Sequence, residues 1–410
     1  MDVIAGRAVE IGPVLPGETD SFLALMCDAF GMEFAAAKPV FDSDPYFDCE
    51  NKRVLRIGGA IAACLTIVDR TCWIGDARVR VAGIAGVATR PELRRRGIAA
   101  MLLTETIGTL AKRGFHLSAL FPVVRDYYRR FGWETAGEGY RSHAFAADTE
   151  ADTANTIVRR ASEADIPALS ALYDVYAAGR AMHCVRDHMM WQYLLTYVPH
   201  VYVAVDGTAA RNAEGYIMFD FQGKAAPSAG ERAAVRVLEM VCAAPRAGSA
   251  LRNRLRAVRG DGDIDITAPP SVLAANGFAV PSAPEAAFMA RIADWLALLS
   301  ALAANWRDFR GTIALSLSDS VLADAPHVAV LTGGADGATV TAVDPQSIVT
   351  GNIPIVAGDI HGWSAVAVGH VGGREACDAG LLRASSPAAA EMASALFPRR
   401  APFIPAADHF

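Results

Sequence analysis

The chain has 410 residues, 52% of them hydrophobic and 20% charged, and a formal net charge of −6. That composition makes a folded rather than disordered protein, and the length calls for two or three domains. The acidic balance argues against nucleic acid as the main partner and suits a cationic substrate. No apolar run approaches the roughly 18 residues of a membrane span, and Met1 to Glu10 carries Asp, Arg and Glu where a signal peptide would be apolar, so the expected location is cytoplasmic, with export without a cleaved signal left open.

From Val9 to about Asp148 the pattern predicts an α/β unit. A helix-like stretch (Glu18 to Phe34) precedes strands at Val54 to Val68 and Arg78 to Thr89, a helix from Ile98 to Arg113, and strands at Phe115 to Phe121 and Tyr140 to Ala146. Between the second strand and the helix lies Thr89-Arg90-Pro91-Glu92-Leu93-Arg94-Arg95-Arg96-Gly97. A strand, a basic turn and a helix start aim backbone N–H groups and the positive end of a helix dipole at one point, a site for pyrophosphate. Gly97 permits close backbone approach, and Arg94 and Arg95 supply charge-assisted hydrogen bonds. An exposed basic turn that only caps the helix would use the same residue types.

Polar Asp148 to Asn155 reads as a linker. A second unit then repeats the order: a strand from Ile157, a helix capped by Ser162, a helix from Asp187 to Leu195, and strands at His200 to Val205, Glu214 to Phe221 and Ala234 to Cys242. A helical stretch from Pro245 to Arg259 follows, but Pro245-Arg-Ala-Gly-Ser-Ala lacks the spacing of the first basic turn. After an amphipathic helix (Asp294 to Asn305), a third region predicts short strands at Gly311 to Leu317, Val328 to Leu331 and Ala338 to Ala342, and a helix at Pro387 to Leu396. Thr332 to Gly337 reads as a hairpin turn, since no helix with Lys-Ser/Thr follows it. The seven cysteines and nine histidines are scattered without ligand spacing, so no metal and no disulfide framework is expected.

Arg94-x-x-Gly97-x-Ala99 resembles the pyrophosphate loop of the GCN5-related N-acetyltransferases (GNAT), and Tyr128-Arg-Arg-Phe-Gly-Trp133 resembles the signature in which that superfamily places its catalytic tyrosine. Two acetyltransferase-like units, only the first with a cofactor loop, plus an α+β tail resemble the enhanced intracellular survival (Eis) family. The resemblance implies a catalytic GNAT domain at 1–150, a degenerate GNAT-like domain at 156–293 and a sterol-carrier-protein-like α+β domain at 294–410. It implies a homohexamer that uses acetyl-CoA to acetylate amines of aminoglycoside-like or polyamine-like molecules, or protein lysines. Carried over by position, Val87, Ala88 and Thr89 hold the pantetheine arm, and Arg94, Arg95, Gly97, Ile98 and Ala99 hold the pyrophosphate. Tyr128 is the general acid, with Tyr127 as its wrong-face neighbour, and the carboxylate of Phe410 acts at the site. A phenol of pKa about 10 can protonate a departing thiolate whose thiol titrates near 8–9. A terminal carboxylate of pKa about 3.5 is a poor base unless burial raises it or a water relays the proton.

Two departures leave the substrate range open. Phe30, Glu33 and Phe34 do not align with the family's pocket-lining residues without a gap, and Gly86 stands where its best-known members carry a bulky aromatic. A non-catalytic acyl-CoA sensor and a lipid carrier remain as alternative readings.

Overall fold

The computed structural model describes residues 3–4, 7–146, 153–207, 212–221, 234–259, 262–322, 326–335, 337–348 and 353–410, which places most of the expected linker outside the described residues. The chain packs as two compact units. One gathers residues 1–136, 288–400 and 410, and the other gathers 137–287 and 401–409.

The first unit begins with strands β1 (Val3–Ile4), β2 (Arg7–Pro13), β3 (Lys52–Ile57), β4 (Ala60–Ile74), β5 (Ala77–Thr89) and β6 (Leu117–Leu120), adjacent in that order. Residues 289–292 then pair with β6. All neighbours are antiparallel except β5 and β6, which are parallel and need a crossover. That crossover is the helix α3 (Ile98–Leu110), preceded in sequence by α1 (Thr19–Phe30) and α2 (Phe34–Asp42) and followed by the short α4 (Arg125–Arg129). Buried Ile98, Leu102, Leu103, Thr106, Ile107 and Leu110 give α3 one apolar stripe at helical spacing.

Strand alternation sets the layers. Leu55, Leu65, Ile67 and Ile84 join the core under α3, while their neighbours Val54, Cys64 and Ala88 join Phe22 and Leu25 of α1 on the other face. The stretch Val54 to Val68 is not one strand: Gly58 and Gly59, at φ 58° and 83°, turn it into the β3–β4 hairpin. The first helix stops at Gly31 (φ 66°) before Phe34, and α3 ends at Leu110 instead of Arg113.

Residues 311–384 of the same unit form a five-stranded sheet in the order Gly337–Val343, His327–Gly334, Gly311–Ser318, Ile355–Asp359, Leu382–Ala384. Gly334 pairs with Gly337, so the expected hairpin turn forms there, with Asp336 outside the described residues. Helices Trp295–Leu302, Ile360–Ala367, Gly373–Asp378 and Pro387–Leu396 accompany it.

In the second unit the strands follow the order Glu134–Ser142, Ile264–Ala268, Val235–Cys242, Ala213–Asp220, His200–Asp206, Thr156–Arg160. Among the described residues of this unit only Val235–Cys242 and Ile264–Ala268 are parallel, with helix Pro245–Arg259 between them as their crossover. This repeats the β5–α3–β6 arrangement of the first unit. The start of that helix is closed: Ala247, Gly248, Ser249 and Ala250 are buried, and Arg246 is held by Glu214 and Asp206.

A buried charge network ties Asp408 into this unit. Arg186 binds Glu239 through both Nη atoms at 2.8 Å, and its Nε donates to Asp408 at 2.9 Å. Tyr216 donates to Glu239, and Tyr173 reaches Asp408 at 3.3 Å. Removing one partner of such a network leaves an uncompensated buried charge, typically a cost of about 3–5 kcal/mol.

Candidate active site

Strand β5 builds the site through two irregularities. Its pairing with β6 runs from Val81 to Gly83 and stops, while its pairing with β4 continues to Thr89. Ile84 to Thr89 therefore have an open edge on the β6 side among the described residues. Within that stretch Cys64 faces Ala88 and Thr66 faces Ala85, so Leu65 alone opposes Gly86 and Val87. This is a β-bulge, and such bulges re-aim backbone groups beside active sites. Gly86 adopts φ 59°, and a Cβ there would lie 2.7 Å from Met26 Cε. A bulky aromatic at this position would meet both a strained backbone and the α1 side chain. Gly86 is one of two glycines in the predicted strand, and a glycine inside a strand pattern is a sequence signal for a bulge.

The loop after β5 is a short 3-10 turn (Pro91–Leu93), then extended Arg94, then Arg95 at φ 62° and Gly97 at φ 78°. Helix α3 starts directly behind it, and its N-cap Gly97 supplies no side-chain cap, so its first N–H groups face the loop. A Cβ on Gly97 would meet nothing within 4 Å, which leaves open space at the helix start. These features fit an anionic group and place Arg94, Arg95 and Gly97 together, all exposed. The side chains have unequal parts. Arg94 bends back, its Nε donating to Thr89 O at 3.2 Å, and Ile98 is 1% exposed in the core. Ile98 therefore offers only its N–H, and buried Ala88 likewise only its backbone.

A Gly97→Trp protein is expected to bind acetyl-CoA at least tenfold more weakly. A side chain at φ 78° costs about 1–2 kcal/mol and fills the open approach. Isothermal titration of the folded variant checks this, and unchanged affinity would remove the loop from the site.

Tyr128 occupies α4, with its ring edge-on to Tyr127 at 5.3 Å and to Trp133 at 6.3 Å. It rests on the core under α3 that also receives Val87 and Met101. Burial pushes its hydroxyl pKa upward, and the neighbouring Tyr127 adds to the shift. Tyr127 is half-buried on the same core and carries the Arg130 guanidinium 4.9 Å from its ring centre. Glu33, one of the residues that do not align with the family's pocket, is exposed at the start of α2 near exposed Phe30 and Met32.

The chain terminus meets β5 and β6 where they part. Gly83 pairs with Ala119 in the final rung, and a Cβ on Gly83 would lie 2.6 Å from Phe410 Cδ2. Phe121, just past β6, stacks at a tilt on Phe410 with ring centres 5.2 Å apart. Only a glycine at position 83 leaves room for that ring. Among the described residues no group of three or more His, Cys, Asp and Glu could hold a metal, and no helix is long and apolar enough to cross a membrane.

Residues 10–136 match the family model of the acetyltransferase (GNAT) domain. Among solved structures, a GCN5-related N-acetyltransferase from Anabaena variabilis aligns over 98% of this chain and 100% of its own, with a TM-score of 0.78 and 19% identity. One from Kribbella flavida aligns over 98% and 99% (TM-score 0.77, 21% identity), and Eis1 from Mycobacterium abscessus over 98% and 100% (0.69, 19%). At these identities the likeness is one of fold. No curated protein matches by sequence. The family match and the open β5 edge beside an uncapped, glycine-led helix agree: the chain carries a GNAT acetyltransferase domain over residues 10–136 and is an acetyl-CoA-dependent N-acetyltransferase.

Proposed function

We propose that the enzyme acetylates primary amines of cationic molecules, aminoglycoside-like or polyamine-like, or protein lysines, as an Eis-type acetyltransferase with catalytic, degenerate GNAT-like and sterol-carrier-protein-like parts at 1–150, 156–293 and 294–410. A homohexameric, cytoplasmic protein belongs to the same reading. The observation that carries it is the packing of terminal Phe410 on Gly83 and Phe121, at the point where β5 leaves β6. A chain end is ordinarily frayed and solvated, and an aromatic one seated beside the reaction cleft supports a role for its carboxylate.

The backbone of Val87, Ala88 and Thr89 along the open edge suits the pantetheine arm. The loop residues Arg94, Arg95 and Gly97, with the N–H groups of Ile98 and Ala99, suit the pyrophosphate. The amine attacks the thioester directly, a strand N–H of Val87 or Ala88 stabilises the developing oxyanion, and Tyr128 protonates the departing thiolate. The Phe410 carboxylate takes the amine's proton directly or through a water.

The test is thiol release from acetyl-CoA across a panel of diamines, polyamines, aminoglycosides and lysine peptides. Turnover with at least one cationic amine class is the expected result. Acetyl-CoA binding without turnover on any amine would instead favour the acyl-CoA sensor. One feature favours a lipid-carrying role: a cleft of about 490 Å³, lined by Ala111, Trp295, Leu296, Leu317 and Val328 among others, is large enough for a small apolar molecule.

A further inference from the structure

We propose that Arg291 is a positioning residue for the catalytic turn and that Asp319, a residue of the C-terminal region, holds it in place. This rests on the assignment of Tyr128 above. Arg291 lies on the strand beside β6, and its side chain is fully buried. Its Nε donates to the carbonyl of Phe131 at 2.8 Å, its Nη1 to the carbonyl of Ile292 at 2.6 Å, and its Nη2 to Asp319 Oδ2 at 2.7 Å.

Phe131 belongs to the Tyr128-Arg-Arg-Phe-Gly turn, and its own N–H donates to the carbonyl of Tyr128 at 3.0 Å. The next residue, Gly132, sits at φ 89°, where a Cβ would be 3.1 Å from Arg291 Nε and 3.2 Å from Ile360 Cγ2. The turn thus lies close against the guanidinium, and a side chain at position 132 would need both a strained backbone and neighbours that give way. Asp319 is itself buried, and its Oδ1 accepts the N–H of Val321 at 3.0 Å, so the anchor is fixed to backbone at its far end. Ser364 accepts the N–H of Ile292 at 3.1 Å, a second tie from the C-terminal region to the same strand.

Burying a guanidinium completely is expensive unless every donor finds a partner. Burial presses Arg291 toward neutrality, and Asp319 opposes that. An apolar residue would pack here more cheaply for stability alone. An arginine instead gives three directed bonds, one of them to the backbone that sets where Tyr128 stands. General-acid catalysis needs that placement, since a shift of about 1 Å can cost about 10²-fold in rate. The C-terminal region therefore acts on the chemistry by fixing α4, without touching substrate.

The experiment is a kinetic double-mutant cycle on the full-length enzyme. Asp319→Asn keeps the shape and one acceptor while removing the charge that aims Arg291, and Arg291→Lys is the second variant should the first fold poorly. In each folded variant kcat is expected to fall about tenfold or more with the acetyl-CoA KM within about twofold of the parent. In a Tyr128→Phe background the same substitution should cost almost nothing further, because positioning acts only through that hydroxyl. Equal losses in both backgrounds would mark the pair as merely structural and overturn the proposal.

3-Fluorotyrosine placed at position 128 gives a readout independent of turnover. Its 19F resonance should move in Asp319→Asn and stay put in an exposed control such as Asp308→Asn. A resonance that moves while Tyr128→Phe retains full activity would sink the general-acid assignment and leave the positioning intact. An unmoved resonance would overturn the positioning whatever the rates.

Discussion

Tyr128→Phe is expected to lower kcat by about 10²–10⁴ with little change in acetyl-CoA affinity. The ring keeps its edge contacts with Tyr127 and Trp133 and its seat on the core, so the variant loses only the proton. Burial raises the hydroxyl's pKa, so the phenol stays protonated throughout the neutral range and can give its proton to a thiolate. An acid whose pKa lies above the ordinary value of about 10 loses function only above that pH, so an alkaline limb of kcat assigned to Tyr128 belongs above pH 10 and vanishes in the Phe variant. Tyr127→Phe is a demanding control, because that ring is half-buried on the same core and its hydroxyl is also shifted upward by burial. Equal loss in the two variants would show packing, not proton delivery, and the assignment would fall.

The parts of the proposed cofactor site were unequally legible in the sequence. Arg94, Gly97 and the apolar stripe of α3 are local: a turn that needs positive φ calls for glycine, and helical spacing announces the helix. The bulge at Gly86 is also local, and its signal was a glycine inside a strand, yet what occupies the space beside it, Met26, comes from another element. Contacts across long separations were beyond reach. Arg291 meets Phe131 over 160 positions and Asp319 over 28, and nothing in composition or periodicity distinguishes that buried arginine from one on the surface. The strands Ile355–Asp359 and Leu382–Ala384 were missed because they are short, and Gly358 and Ala384 weaken any alternation. The seat of Phe410 was expected only through family resemblance, since no pattern in the last residues says where a terminus goes.

Appending a few residues after Phe410 is expected to reduce turnover by about 10²–10⁴ even though every named side chain remains. The terminal ring is wedged against Gly83 and Phe121, so added chain must either leave from the end of the β5–β6 pairing or push the ring off Gly83. Both displace the carboxylate. The loop around Gly97, proposed to hold the cofactor, is unaltered, and acetyl-CoA affinity should stay near the parent value, which separates this result from a general loss of fold. An N-terminal tag of the same length should leave the rate unchanged. Deleting Phe410 is a poorer test, because it removes an aromatic contact together with the charge. Amidation of the C-terminus by semisynthesis keeps the ring and neutralises the carboxylate, and it should reproduce the loss seen on extension. If the extended and the amidated proteins both acetylate amines at the parent rate, the terminus has no chemical role. The proton from the amine must then go to solvent or to exposed Glu33.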